Sequence, residues 1–115
     1  ELSDQLNLFN SEAKTIIFNN RKSQLRDSNH FVKIDFNNMI HNILEKLYKE
    51  DIRSIIIEGG NKTLQSFINS NLWDEARIFT SNINLKSGIN APIIKGNIIS
   101  KSEIDTDSLK TIIND

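Results

Sequence analysis

Runs of β-branched and aromatic residues alternate along this chain with stretches of helical period. Thr15-Ile16-Ile17-Phe18 is a short apolar run closed by Asn19-Asn20, the pattern of a buried strand. The polar residues 21–30 read as a loop. Phe31-Val32-Lys33-Ile34-Asp35-Phe36 reads as a second strand, because Val32, Ile34 and Phe36 alternate with Lys33 and Asp35 as on a sheet with one wet face. From residue 38 to 50 the period lengthens. Ile40, Ile43, Leu44, Leu47 and Tyr48 fall on one helical face, and Asn37 or Asn38 can cap the start. Lys46 and Lys49 lie near the end, where the helix dipole favours cations.

Ile52-Arg53-Ser54-Ile55-Ile56-Ile57-Glu58 comes next, and three consecutive Ile residues suit a strand covered on both faces. The run stops at Gly59-Gly60. Leu64, Phe67 and Ile68 then take helical spacing, with Leu72 closing the face and Asn61 as the expected N-cap. Residues 74–80 read as a strand and residues 81–91 as a loop containing Gly88 that the single proline, Pro92, helps to end. Ile93-Ile94 and Ile98-Ile99 suit short strands or edge segments, and residues 109–113 a last strand. The alternation of strands and helices predicts an α/β layer structure, without internal repeat or linker.

Composition narrows the field. At 115 residues the chain is one domain at most. Leu, Ile, Val and Phe make up 37 residues, enough for a sizeable core and well above the roughly 20% that would suggest disorder. The abundance of Ile (20) and Asn (16) reads as a compositional bias without chemical meaning. Fourteen basic against 15 acidic residues leave no basic excess to displace counterions from nucleic acid. The lack of Cys removes thiolate zinc sites and cysteine nucleophiles, and two His residues leave little room for a histidine metal site. No metal is therefore expected. The longest apolar run is three residues and the start, Glu1-Leu2-Ser3-Asp4, is acidic, so the expectation is a cytoplasmic protein with neither membrane nor nucleic acid as partner. Asn61-Lys62-Thr63 fits a glycosylation acceptor pattern, for which chance is the better explanation.

The chemistry concentrates where an apolar strand ends in an acid and two glycines and a helix begins. Glycines admit unusual backbone angles and close approach of a ligand. The first N–H groups of a helix lack intrahelical partners and sit at the positive end of its dipole, which favours phosphate. Lys62, Thr63 and Ser66 add a charge and two hydroxyls, and Glu58 stands at the carboxyl end of the strand, where open α/β sheets bind ligands. The spacing is neither a dinucleotide fingerprint nor a Walker loop, and a Gly-Gly pair also serves as a plain tight connection.

Ser54-Ile55-Ile56-Ile57-Glu58-Gly59-Gly60-Asn61-Lys62-Thr63-Leu64-Gln65-Ser66-Phe67-Ile68, then Leu72-Trp73-Asp74-Glu75-Ala76-Arg77-Ile78, and then Gly88 with Ala91-Pro92, resemble the reductase domain of the bifunctional riboflavin-biosynthesis deaminase-reductase family. The likeness is sharpest over residues 52–92 and extends more weakly to residues 6–18. It implies a dihydrofolate-reductase-like fold of class α/β, three layers αβα with a mixed, mostly parallel sheet. It implies NADPH-dependent reduction of 5-amino-6-(5-phosphoribosylamino)uracil, with NADPH and that substrate as partners and a homodimer or higher homo-oligomer as the assembly. Glu58 then contacts substrate, and Gly59, Gly60, Asn61, Lys62, Thr63, Leu64, Gln65 and Ser66 bind the cofactor. No catalytic residue is assigned. A cis peptide is expected at Gly59-Gly60. Nothing here matches the amino-terminal half of the reductase domain or the zinc deaminase domain. Residues 1–115 are thus expected to be the carboxyl-terminal portion of the reductase domain, a fragment inactive by itself.

Other residues carry blander readings. His30 and His41 lack partners at metal spacing and suit solvent or surface hydrogen bonds. Asp74 and Glu75 are adjacent on a strand and so face opposite ways, whereas Glu75 and Arg77 share a face and can pair. Trp73 suits a hydrophobic anchor, and Lys46, Lys49 and Arg53 a solvated face balanced by Glu45, Glu50 and Asp51. Two other functions remain open on these residues. One is a non-catalytic α/β module that dimerises through a sheet edge. The other is a different phosphate-ligand enzyme built on the same strand-glycine-helix element.

Overall fold

A computed structural model describes residues 6–10, 12–26 and 29–115. The acidic start at Glu1-Leu2-Ser3-Asp4 and residues 27–28 of the expected loop lie outside the described residues. The fold is mixed α/β, with two small sheets and two helices, and divides into two compact units, residues 1–55 and 56–115.

In the first unit, β1 (Thr15–Asn19) pairs in parallel with β3 (Asn29–Lys33), which also pairs antiparallel with β2 (Gln24–Arg26). The strand order is β1-β3-β2, with Ile17 opposite Phe31 and Phe18 opposite Val32. The expected polar loop 21–30 is thus corrected, because Gln24-Leu25-Arg26 has a backbone to pair with even though Leu25 is exposed. His30 is a half-buried strand residue rather than a loop residue. The second strand ends at Lys33, not Phe36. The Asp35 side chain accepts from the Asn37 amide and starts a 3-10 turn at Phe36.

That turn feeds α1 (Met39–Lys49). Ile40 is buried and Ile43, Leu44 and Leu47 half-buried, as the period requires. Tyr48 departs from the expected face. It is exposed, with the Arg53 guanidinium 4.7 Å from its ring centre. Lys49–Glu45, Lys46–Glu50 and Arg53–Asp51 form ion pairs at 2.6, 3.9 and 2.6 Å, so the basic face is balanced as the sequence indicates.

The second unit holds α2 (Asn61–Asn69) and an antiparallel sheet of order β4-β6-β5, with β4 (Glu75–Thr80), β5 (Asn97–Ile104) and β6 (Asp107–Ile113). β5 and β6 form a hairpin turned at Asp105, whose φ of 53° is the left-handed value such a tight turn needs. The structure extends β5 to Ile104 and leaves Ile93-Ile94 outside any strand. Phe67 and Ile112 are the buried apolar side chains described in this unit.

Both helices end the same way. Asp51 (φ 63°) and Asn71 (φ 55°) take the left-handed conformation just past the helix. The Asp51 amide donates to the Tyr48 carbonyl and the Ile52 amide to the Leu47 carbonyl. The Asn71 and Leu72 amides repeat the pattern on Ile68 and Phe67. These are Schellman exits, built without glycine.

Two further expectations are corrected. Three of the four described strand pairings are antiparallel, so the sheets here are not mostly parallel. The run at residues 52–58 belongs to no strand, and Ile56, expected to be covered on both faces, is 88% exposed. A strand needs a neighbour for its backbone N–H and C=O groups, and no described segment pairs with this run.

Candidate functional site

The corner between the Ile run and α2 is open. Gly59 has φ 141°, a conformation that side chains disfavour, so glycine is required there by backbone geometry. Gly60 is different. Its φ of −72° suits any residue, and it acts as N-cap in place of the expected Asn61, which is the first helical residue. A Cβ at Gly60 would meet no heavy atom within 4 Å. The Gly59-Gly60 peptide is not cis, because no cis bond occurs among the described residues; the expected cis linkage is thereby corrected.

The Gly60 carbonyl accepts from the Thr63 and Leu64 amides at 3.1 and 3.3 Å, which closes the first turn. The Asn61 and Lys62 amides have no acceptor among the described residues. No acidic residue occupies the first turn and no side chain caps it, so the positive end of the helix dipole is not offset locally. Glu58, Lys62 and Thr63 are exposed around the corner, and Thr63 Oγ1 lies 4.0 Å from the place a Gly59 Cβ would take.

The other expected cofactor residues do structural work. Asn61 Nδ2 donates to the Asn90 carbonyl at 2.5 Å. Gln65 Nε2 donates to the Ile93 carbonyl at 3.1 Å while its Oε1 accepts from the Ile93 amide at 2.8 Å. Ser66 Oγ donates to the Lys62 carbonyl at 2.7 Å, one turn back. Leu64 is half-buried. The side chains of Asn61 and Gln65 thus hold residues 90–93, including Ala91-Pro92, along α2. Two motifs singled out separately in the sequence are brought together; one N–H of Asn61, both amide atoms of Gln65 and the Ser66 hydroxyl hydrogen are committed to these bonds.

Trp73 is the anchor its position suggested. The place a Gly96 Cβ would occupy lies 3.0 Å from Trp73 Cη2 and 2.8 Å from Ile112 Cγ2. Asn114 Nδ2 donates to the Trp73 carbonyl and to Asn71 Oδ1 at 2.9 and 3.0 Å. Asn114, Asn90 and Ile93 were not visible as partners in the sequence, because their bonds join residues 28 to 43 positions apart and mostly involve backbone atoms. Arg77 Nε donates to Glu75 Oε1 at 2.8 Å, the same-face pair expected. A groove of about 590 Å³ lies between Gln65, Ile68, Trp73, Ile93, Lys95 and Asn114. A second, of about 630 Å³, lies along residues 33–37 with Asn20. Of the expected site residues only Gln65 lines either one; the glycine corner is an open surface feature.

The chain as a whole, rather than this corner alone, matches a known family. The model of the RibD C-terminal domain matches residues 1–114, and the chain belongs to that family. Among solved structures, a Shewanella sp. PV-4 protein described as a riboflavin biosynthesis protein superposes with a TM-score of 0.64 at 20% identity. The match covers 87% of this chain and 59% of that one, so the chain spans less than two thirds of its relative's length. No curated protein matches significantly. No helix among the described residues is long and apolar enough to cross a membrane.

Proposed function

We propose that this chain provides the cofactor-phosphate cradle of an NADPH-dependent reductase that acts on 5-amino-6-(5-phosphoribosylamino)uracil. Its setting is a cytoplasmic, homo-oligomeric enzyme whose intact domain has the three-layer dihydrofolate-reductase-like arrangement. The chain alone is inactive, because the family's amino-terminal half supplies much of the nicotinamide pocket.

The observation that carries this reading is the open space over Gly60 beside two amides without acceptors. The residues fit an anionic group. The Gly60 corner lets it approach without a Cβ in the way, and the Asn61 and Lys62 amides donate to it. The Lys62 ammonium supplies the charge that distinguishes a phosphorylated nucleotide from its parent. Thr63 offers a hydroxyl. Asn61 and Gln65 act through position, keeping residues 90–93 along the helix. Bound NADPH supplies the hydride. Glu58, two residues before the helix cap, accepts hydrogen bonds from substrate and orients it.

The test is titration of NADPH, NADH and inorganic phosphate into the chain while following the amides of residues 59–66. NADPH is expected to shift them, and Lys62→Ala to weaken NADPH about tenfold, or about 1.4 kcal/mol, with little change for NADH. A response to phosphate alone that neither nucleotide reproduces overturns the reductase reading. Silence of these amides toward all three ligands removes the cradle altogether.

A further inference from the structure

Residues 81–91 are exposed throughout, and three of them are large and apolar: Ile83, Leu85 and Ile89 are 72, 81 and 90% accessible. Three such side chains within seven residues are more than a scattering of surface apolar positions, and loops beside a rigid scaffold are where binding residues concentrate. The hydrogen bonds described inside this loop are short-range. The Ile83 amide donates to Ser81 Oγ at 3.2 Å, the Lys86 amide to Asn84 Oδ1 at 2.9 Å and the Ser87 amide to the Leu85 carbonyl at 2.7 Å. Lys86 (φ 61°) and Gly88 (φ 147°) bend the chain between them. One stem is Thr80, paired with Ser108 at the end of β4. Among the described residues, the next hydrogen bond from the loop to another element is the one that Asn61 Nδ2 donates to the Asn90 carbonyl. The loop therefore hangs between two anchors. The second anchor is the first residue of α2, whose backbone amide has no acceptor among the described residues.

Resting on the cradle proposed above, we infer that residues 81–91 are a strap that closes over the nucleotide held at the start of α2, with Ile83, Leu85 and Ile89 covering it and Asn61 fixing the second stem. The chain length allows it. Leu85 is five residues from each anchor, so an extended chain carries it up to about 16 Å from either one. Asn90 lies against Asn61, so this reach takes in the whole first turn of α2, about 5.4 Å tall. A ligand draws a loop down only by offering contacts that the open state lacks. The three apolar side chains stand in water, and covering them with a ribose and a flat base is favourable. Inorganic pyrophosphate can meet the same helix amides but offers no such surface. Asn61 joins the two events, because its backbone amide points to the anion site while its side chain holds the strap.

The test adds saturating NADPH or pyrophosphate to the whole chain and reads three signals: the amides of residues 59–66, hydrogen exchange at residues 82–90, and trypsin cleavage after the exposed Lys86. NADPH is expected to shift the first and to slow the other two about fivefold, whereas pyrophosphate shifts the first alone. Replacing the three exposed side chains together (Ile83→Ser, Leu85→Ser and Ile89→Ser) is expected to weaken NADPH about tenfold without weakening pyrophosphate. Asn61→Ala, at NADPH concentrations that still shift residues 59–66, is expected to return cleavage after Lys86 to its ligand-free rate. Shifts at residues 59–66 with unchanged exchange and cleavage overturn the strap and leave the cradle standing. Equal protection by pyrophosphate, or a triple variant that weakens both ligands alike, overturns the apolar cover. Protection that survives Asn61→Ala overturns the link through that residue. Silence of residues 59–66 toward both ligands refutes the cradle, and the strap with it.

Discussion

Gly96→Ala isolates the packing argument of the second unit. Gly96 does not have the positive φ of Gly59 or Gly88, so the substitution tests space alone. A Cβ built there falls 2.4 Å from the Ile113 carbonyl oxygen, 2.8 Å from Ile112 Cγ2 and 3.0 Å from Trp73 Cη2. The closest atom is backbone, in a strand held on one side by Glu75 and on the other by Asn97, so relief requires moving β6. Overpacking of this kind costs about 1–3 kcal/mol, and a rigid neighbour places it near the top of that range. The smaller unfolded-state entropy of Ala returns about 0.4–1 kcal/mol. The net loss is about 2 kcal/mol. With a urea slope of about 2 kcal/mol per molar, the midpoint falls by about 1 M. Fluorescence of Trp73, the single tryptophan, reports this unit directly. Gly60→Ala is the control: with φ −72° and no atom within 4 Å no clash opposes it, and the smaller unfolded-state entropy of Ala offsets the N-cap's preference for Gly over Ala, so it is expected to stay within about 0.5 kcal/mol of the parent. If Gly96→Ala unfolds at the same urea concentration as Gly60→Ala, the packing of Gly96 against β6 is wrong.

Three other outcomes are expected. Ile112→Ala, at a side chain 4% exposed, is expected to destabilise by about 2–4 kcal/mol in the same denaturation. Gln65→Leu removes both bonds to Ile93 and is expected to cost about 1 kcal/mol while speeding exchange of the Ile93 amide; unchanged exchange would contradict the clamp. The Glu50 carboxyl is held below its ordinary 4.5, chiefly by the hydrogen bond from Lys14 and then by the charge of that lysine. A depressed folded-state pKa gives stability that is present above the unfolded value and lost as pH falls through the folded one. Lys14→Met is therefore expected to raise the Glu50 titration midpoint in carboxyl NMR and to flatten the acid side of the stability profile.

Legibility followed the distance over which each signal acts. Both helices were readable because their apolar faces repeat within a few residues, and β1, β4 and β6 because short apolar runs mark them. The Glu75–Arg77 pair was readable from a two-residue spacing. β2 was not, since its three residues are defined by the backbone of β3 rather than by their own side chains. The run at residues 52–58 has all the composition of a central strand. Composition cannot furnish a neighbour, and none is described beside it. At the site, the glycine corner and its helix were evident, but two of the expected ligands, Asn61 and Gln65, were already engaged with residues 28 and 29 positions away. The cap at Gly60 rather than Asn61 shows the same limit, for Asn is the better capping side chain and the chain path excluded it.

The exit of α2 carries a consequence for how this unit opens. Asn71 takes a left-handed turn that glycine would accept more readily, yet its amide oxygen also receives Asn114, whose nitrogen holds the Trp73 carbonyl as well. The Asn114 backbone amide adds a bond to the Asp74 carbonyl. The last turn of the helix and the tail of the final strand are thereby latched to each other, so fraying at one terminus releases the other. Glycine at position 71 would ease the bend but remove the one bond of the three that reaches the helix exit itself, leaving Asn114 tied only to residues 73 and 74 and loosening the coupling between the two openings.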